Sequence, residues 1–299
     1  MVFENRIIRG KGRYIPFETV TNPMLEFHSG TNAKWIFKTL GIRERHIAKN
    51  YEHVADMGYM AGLEAVKDAN MLLYDIDAVI VSCSSASHFA PSIACQILSR
   101  LELSVPAFDI NAVCSGFLYA IELACSLHYN NVLIIATEKY SSITDWSNRD
   151  CIYFGDGAGA IVLSKGDGRI ITNLYADGKS GEAFIAKTGS YYTIKGKMVY
   201  DKAMEVLPSA IKKALKEAHI DNINTIDYII PHQAGKNVIQ ALMESIDYPM
   251  ERCVIIMDKY ANLASASIPV AMNEVDGNNL LLVAIGSGWT WGTTIIQKL

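Results

Sequence analysis

The chain repeats its own landmarks once, and this limits what it can fold into more than any other feature. Asp77 opens the apolar run Ala-Val-Ile-Val, and Asp227 opens Tyr-Ile-Ile 150 residues later. Asn130-Asn131-Val-Leu-Ile-Ile-Ala is echoed by Asn278-Asn279-Leu-Leu-Leu-Val-Ala at an offset of 148. In each block a strand is followed by a helix start, at Cys114 in the first and Asn262 in the second, again 148 apart. Landmarks held at nearly one spacing indicate two similar halves. The expected halves are residues 1–166 and 167–299, joined near 165–170.

Within each half, apolar runs of strand length alternate with helical patterns, the signature of an α/β fold. The expected strands are Ala78–Ser82, Val132–Thr137, Ala160–Ser164, Tyr228–Ile230, Cys253–Met257 and Leu280–Ala284, with a short one in PAFDI. The expected helices are Ala55–Ala69, Pro91–Leu101, Ser115–Tyr129, Tyr200–His219, Asn237–Ser245 and Ser265–Val275. In open α/β sheets, functional groups collect beyond the carboxyl ends of the strands. Cys114, His232 and Asn262 stand at such ends, and related halves would bring those ends to one cleft.

Composition removes several classes of function. The chain is 50% hydrophobic with a net charge of −4, which offers no global basic field for nucleic acid or an anionic membrane. No apolar run approaches the roughly 20 residues of a membrane span. The polar, basic start MVFENRIIRGKGRYIP does not read as a signal peptide. Six dispersed cysteines without a CxxC pair give no zinc or disulfide framework, so a reduced, cytoplasmic chain with no metal site is expected.

Two of those cysteines lie in FDINAVCSGFLYAIELAC. Cys125 falls on the apolar face of the helix and reads as core. Cys114 stands at the helix start, where unpaired N–H groups and the helix dipole favour a thiolate. Ser115-Gly116 leaves room for another backbone to approach it. A nucleophile also needs a base and an anion site. His232 follows a strand directly in IDYIIPHQAGK, placed either to serve a reacting thioester or to play a structural part. Asn262, in DKYANLASASIP, is either a helix N-cap or an amide donor beside His232 that holds an enolate oxygen. FGDGAGA precedes a strand rather than a helix, so it reads as tight turning and close packing, not a phosphate loop. The GSG of IGSGWTWG is either a hairpin turn or a source of N–H groups for an oxyanion beside Cys114.

Seven ordered motifs now stand together: WIFKTLGIRERHIA, APSIACQI, AFDINAVCSGFLYA, FGDGAGAIVL, PHQAG, ANLASASIP and GSGWTWGT. In this order the chain resembles the β-ketoacyl-acyl carrier protein synthase III enzymes of the thiolase fold. The resemblance implies two pseudo-repeated α/β halves in a five-layered αβαβα arrangement. It implies a catalytic set of Cys114, His232 and Asn262, with the backbone N–H groups of Cys114 and Ser287 as the oxyanion hole. Elongating synthases carry a second histidine where Asn262 stands, and thiolases a second cysteine in the last Gly-rich turn, which here has none. The implied reaction forms acyl-Cys114 from an acyl-coenzyme A or acyl-carrier thioester. Decarboxylative condensation with malonyl-carrier protein or malonyl-coenzyme A follows, in fatty acid or secondary-metabolite biosynthesis. No metal or redox cofactor is required. The alternative is a relative that passes the acyl group to an alcohol or amine.

The resemblance also implies a homodimer and substrate-binding positions at Trp35, Thr31, Arg149, Gly196, Gly235, Ala90 and Phe89. The family's arginine four residues after the tryptophan is Thr39 here, and the asparagine after PHQA is Gly235. Ala90, where a bulky residue often bounds the acyl pocket, points to a roomier pocket that Phe89 would refill. The stretch from Lys179 to Met198 is short for the family. Lys212, Lys213, Lys216 and Lys236 offer a basic face to an acidic carrier protein, or are an ordinary solvated surface.

Overall fold

A computed structural model describes residues 1–179 and 182–298. Eight strands form the main sheet: β1 (Val2–Tyr14), β2 (Ala78–Ser82), β3 (Ala107–Ile110), β4 (Asn131–Lys139), β5 (Asp156–Ala176), β6 (Tyr228–Pro231), β7 (Asn279–Gly286) and β8 (Thr290–Lys298). Their order is β6-β7-β8-β5-β4-β2-β3, with β1 also paired to β5. The main helices are α1 (Val54–Asp68), α2 (Ile93–Arg100), α3 (Gly116–Ser126), α4 (Gly196–Glu217), α5 (Lys236–Ser245) and α6 (Ser267–Met272).

The long strand β5 serves both halves. Its residues Asp156–Ser164 pair with β4, and Gly168–Ala176 pair with β8. The expected junction at 166/167 therefore falls inside one continuous strand. Parallel pairing of β2 with β3 and β4, and of β6 with β7, recurs in the two halves.

Side-chain parity builds the layers. Val79, Val81, Leu133, Ile135 and Val162 face α1 and α2 on one outside. Ile80, Ile134, Ile161, Ile230, Leu280 and Leu282 face inward onto α3 and α6. Ile229, Leu281, Val283 and Ile295 face α4 and α5 on the other outside. Three apolar clusters, the middle one lying on both sides of α3 and α6, thus fill the four interfaces of five layers, αβαβα. The middle helices are apolar nearly all round because they are covered on both sides.

The repeat is built into the backbone bonding. The Asp77 carboxylate accepts from the N–H groups of Asn130 and Asn131, both at 2.9 Å. Asp227 accepts from Asn278 and Asn279 at 2.7 and 2.9 Å. One sequence pairing is corrected. The short 3-10 turn Val113–Ser115 that precedes α3 matches Ala264–Ala266 before α6, each entered at positive φ, 47° at Val113 and 46° at Ala264. Asn111 accepts from Val113 N–H at 3.1 Å, and Asn262 from Ala264 N–H at 2.8 Å. The counterpart of Asn262 is therefore Asn111, and that of Cys114 is Ser265. The spacing between them is 151, because the second half has a longer approach to its turn.

Two further expectations change. Cys253–Met257 is not a strand: Cys253 makes a single bridge to Ile229, and Met257 opens a four-residue helix. FGDGAGA lies largely inside β5 rather than in a turn, though close packing holds. A Cβ at Gly159 would come within 2.7 Å of Val270 N in α6.

Candidate active site

Ala264 is the common neighbour of the three candidate catalytic residues. Cys114, half-buried, packs against it in one small cluster. Asn262 accepts its N–H. The His232 ring meets its backbone.

The turn carrying Cys114 is stapled at both ends by the first residue of β8. Ser115 Oγ donates to Thr290 O at 2.8 Å, and Thr290 Oγ1 donates to Ala112 O at 3.0 Å. This fixes the turn against Gly286, where an added Cβ would lie 3.0 Å from Cys114 N and from Ala112 O. Only a glycine leaves that amide an open approach. The next residue, Ser287, starts the Ser287–Trp289 turn between β7 and β8 and anchors it by donating to Phe184 O at 2.7 Å. GSG is thus a hairpin turn that also sits against the Cys114 backbone.

His232 leaves β6 with its N–H on Val283 O at 2.8 Å. Its ring is buried, and Nδ1 has no hydrogen-bond partner among the described residues. Burial pushes its pKa down to about 4, against the opposing contact with the Ala264 backbone, so the imidazole is neutral at physiological pH. Gln233, which the sequence analysis passed over, locks this corner. Its Nε2 donates to Pro231 O and Val254 O, and its Oε1 accepts from Ile256 and Met257 N–H.

Asn262 caps the turn that follows it. Its Oδ1 accepts from Ala264 N–H at 2.8 Å, which leaves Nδ2 as the donor end. Its backbone is held by Tyr153 O and Gly155 N.

Burial works against the thiolate that the helix start favours. Burial, then the nearby charge of Glu138, push the Cys114 thiol well above its ordinary value. Cys125 is buried in the core, as its apolar position indicates.

An aromatic cluster closes the space beside Cys114. Tyr140 stacks on Phe154 at 4.3 Å between centroids, and Phe184 on Tyr192 at 5.5 Å. All four pack with Cys114 and Ala264. Phe184 and Tyr192 come from the stretch 179–198, of which residues 180–181 lie outside the described ones. Phe89 is 90% exposed, Ala90 is also exposed, and neither belongs to this cluster.

The other candidate binding residues fall in two places. Arg149 lies over the Trp35 ring at 4.4 Å, a cation–π pair, and Asn32 Oδ1 caps Trp35 N–H at 2.8 Å. Thr31 precedes this cap and is half-buried. Gly196 opens α4 near the Tyr153 hydroxyl, and Gly235 precedes α5 at φ 155°. Lys236 and Arg43 both approach the Phe37 ring, at 5.9 and 4.0 Å. Lys213 instead leans on Tyr175 and pairs with Glu217, while Lys212 and Lys216 are exposed on α4. Among the described residues, no group of histidine, cysteine and carboxylate side chains is arranged to hold a metal ion. No helix among them is long and apolar enough to cross a membrane.

Five layers built from two related halves, with a cysteine and a histidine–asparagine pair meeting at their junction, define an acyltransferase of the thiolase fold. Residues 108–178 match the family model described as 3-oxoacyl-[acyl-carrier-protein] synthase III, and residues 215–298 match the model of its C-terminal part. The β-ketoacyl-[acyl-carrier-protein] synthases III of Campylobacter fetus and Acholeplasma laidlawii are each 38% identical over 96% of both chains. The crystal structure of the Aquifex aeolicus 3-oxoacyl-[acyl-carrier-protein] synthase III superposes with a TM-score of 0.93 at 35% identity, covering 98% of this chain and 99% of that one. The priming β-ketosynthase of the R1128 polyketide pathway gives 0.92 at 25% identity, covering 99% and 97%. The chain belongs to the 3-oxoacyl-[acyl-carrier-protein] synthase III family and is an acyltransferase of that type.

Proposed function

We propose that Cys114 carries the acyl group, and that His232 and Asn262 manage the charge that develops on the incoming malonyl thioester. A neutral His232 takes the thiol proton as sulfur attacks the donor carbonyl. The N–H groups of Cys114 and Ser287 hold the tetrahedral oxyanion in the opening that Gly286 leaves. Collapse expels the donor thiol, which leaves with that proton. A malonyl thioester then enters. As its C–C bond breaks and CO2 leaves, the electron pair moves onto the thioester oxygen, held by His232 and Asn262 Nδ2. The enolate carbon attacks acyl-Cys114, the C–S bond breaks, and the cysteine leaves as a thiolate that takes a proton from solvent, with release of a β-ketoacyl thioester. These groups and the two thioesters suffice for the chemistry, without a metal or redox cofactor.

The observation that carries this reading is the meeting of all three residues at Ala264, with Cys114 N open toward Gly286. The four aromatic rings around Cys114 support a short acyl donor over a long one. The Trp35–Arg149 pair, which resembles a clamp for a planar base, supports coenzyme A as a carrier. Lys236, Arg43, Lys212 and Lys216 support docking of an acidic carrier protein for the extender. A reducing, cytoplasmic setting agrees with all six cysteines being free.

Intact-protein mass spectrometry after mixing with a panel of acyl-coenzyme A donors tests the reading. A short acyl adduct on Cys114, discharged by malonyl-carrier protein with release of CO2, is expected. Adducts discharged only by alcohols or amines would move the protein to the ester- or amide-forming alternative. Absence of any adduct on intact Cys114 would refute both.

A further inference from the structure

The second half carries a twin of the Cys114 turn, and a carboxylate reaches into it. By the repeat, Ser265 corresponds to Cys114, and Glu138 at the end of β4 to Gly286 at the end of β7. Gly286 has no side chain to cover the Cys114 amide. Glu138, fully buried, instead crosses to the twin turn and accepts from Ser265 Oγ at 2.6 Å.

That bond supports a turn which does not hold itself. Ala261 and Ala264 have φ values of 57° and 46°, a left-handed backbone that residues with a Cβ keep only where the surroundings impose it. Two of the turn's side-chain bonds are internal: Ala264 N–H to Asn262 Oδ1 at 2.8 Å, and Leu263 N–H to Ser267 Oγ at 3.1 Å. Among the described residues, only Ser265 sends a side-chain hydrogen bond out of the segment 262–267. Glu138 takes it, with Ser82 O further off at 3.5 Å.

The carboxylate is itself anchored in the first half. Ser84 N–H reaches its two oxygens at 3.2 and 3.1 Å, Ser84 Oγ donates at 2.9 Å and Ser85 Oγ at 2.6 Å. Ser85 Oγ also accepts Lys139 N–H at 2.8 Å, which directs its own proton to Glu138. Glu138 is therefore the fixed end of its bond with Ser265. A line of contacts runs from Ser84 and Ser85 through Glu138 and Ser265 to Ala264, whose N–H orients the Asn262 amide.

We propose that Glu138 is a positioning residue for condensation: through Ser265 it holds the turn that aims Asn262 Nδ2 at the malonyl thioester oxygen. It touches no reacting atom. The inference rests on the proposed role of Asn262, and it assigns the support of that role to the opposite half of the chain.

The test separates the two half-reactions. Cys114 is charged with an acyl-coenzyme A, malonyl-carrier protein is added, and acyl-Cys114 and CO2 are followed by rapid-quench mass spectrometry and gas release. Ser265→Ala removes only the contact between the halves. It should leave the acylation rate within about 2-fold and slow CO2 release roughly 10-fold. Glu138→Asp keeps the charge but withdraws the carboxylate by one methylene, and should have the same effect. Combined with Ser265→Ala it should be no slower than either alone, because both remove one contact. In an Asn262→Asp background, where the donor is already gone, Ser265→Ala should cost nothing more. A merely structural role would slow acylation and condensation together, and that result overturns the proposal. So does unchanged CO2 release in Ser265→Ala, or a full further loss in the Asn262→Asp background. If Glu138→Asp does not fold, Ser265→Ala alone decides. An unaltered protein that forms acyl-Cys114 but releases no CO2 would refute the proposed reaction and this inference with it, whereas normal turnover with an unaffected Ser265→Ala would refute this inference alone.

Discussion

Gly286 lies against the backbone of Cys114 so closely that a Cβ at that position would sit 3.0 Å from the cysteine's nitrogen. The end of β7, in the second half, thereby shapes the space beside the proposed nucleophile, which the first half carries. The contact makes the repeat functional, because neither half contains the site alone.

Gly286→Ala tests that contact. The φ of −128° at Gly286 suits any residue, so the cost is steric and falls on the Cys114 amide. Loss of one oxyanion donor typically costs about 100-fold or more in rate. Acylation of Cys114 should fall by that order while the melting temperature changes little. Wild-type acylation rates would remove the Cys114 amide from the mechanism.

His232 makes stability depend on pH. Its folded pKa, about 4, lies below the unfolded value near 6.5, so the unfolded chain binds the extra proton first. Its contribution is fully present above pH 6.5 and is lost as pH falls toward 4. The loss from this group amounts to roughly 3 kcal/mol. Urea unfolding at several pH values should show that decline, and His232→Gln should flatten it. An equal slope in both proteins would show that the ring is not held neutral by burial.

Arg149 over Trp35 makes a carrier-specific prediction. Removing an exposed cation–π partner costs about 0.5–1 kcal/mol, or roughly 2–5-fold in affinity. Arg149→Ala should raise the KM for acyl-coenzyme A by that factor with kcat kept, and leave donors borne on a carrier protein unaffected. An equal change for both carriers would place the pair outside the nucleotide contact.

Phe184 tests the size limit on the acyl group. It is the half-buried member of the aromatic cluster, so its truncation opens space without removing a ring from the deep core. Phe184→Ala should allow Cys114 to accept longer acyl chains than the unaltered protein does, read as new adducts by mass spectrometry. An unchanged donor range would move the acyl chain away from these rings.

Much of the architecture was legible because buried strands and amphipathic helices write their periods plainly. Ala78–Ser82 was read to its ends, and β4, β7 and α1 to within a few residues. β1 was not seen. Its inward positions are Arg6, Ile8, Gly10 and Gly12, an alternation that looks polar. Arg6 is buried because its guanidinium reaches Tyr129 O and Leu127 O, and the glycines because helix α1 presses on them. Neither cause can be read locally. Cys114, His232 and Asn262 were found because each follows a strand. The burial that opposes a thiolate at Cys114 was not legible, since helix ends are written in sequence but desolvation is not. Glu138 was a lone acid at the end of the apolar run LIIATEK. Its importance shows only where Ser84, Ser85 and Ser265 converge on it from distant parts of the chain.

The central claim is a division of labour: Cys114 with His232 carries out acyl transfer, and Asn262 joins His232 for condensation. Asn262→Asp separates the two, because it keeps the oxygen that Ala264 N–H needs and replaces the Nδ2 donor by an acceptor. Rapid-quench mass spectrometry with an acyl-coenzyme A and malonyl-carrier protein follows both halves at once. Acyl-Cys114 should form at close to the wild-type rate and then persist, with CO2 release slowed about 100-fold or more. Loss of acylation and condensation in equal measure would contradict the account.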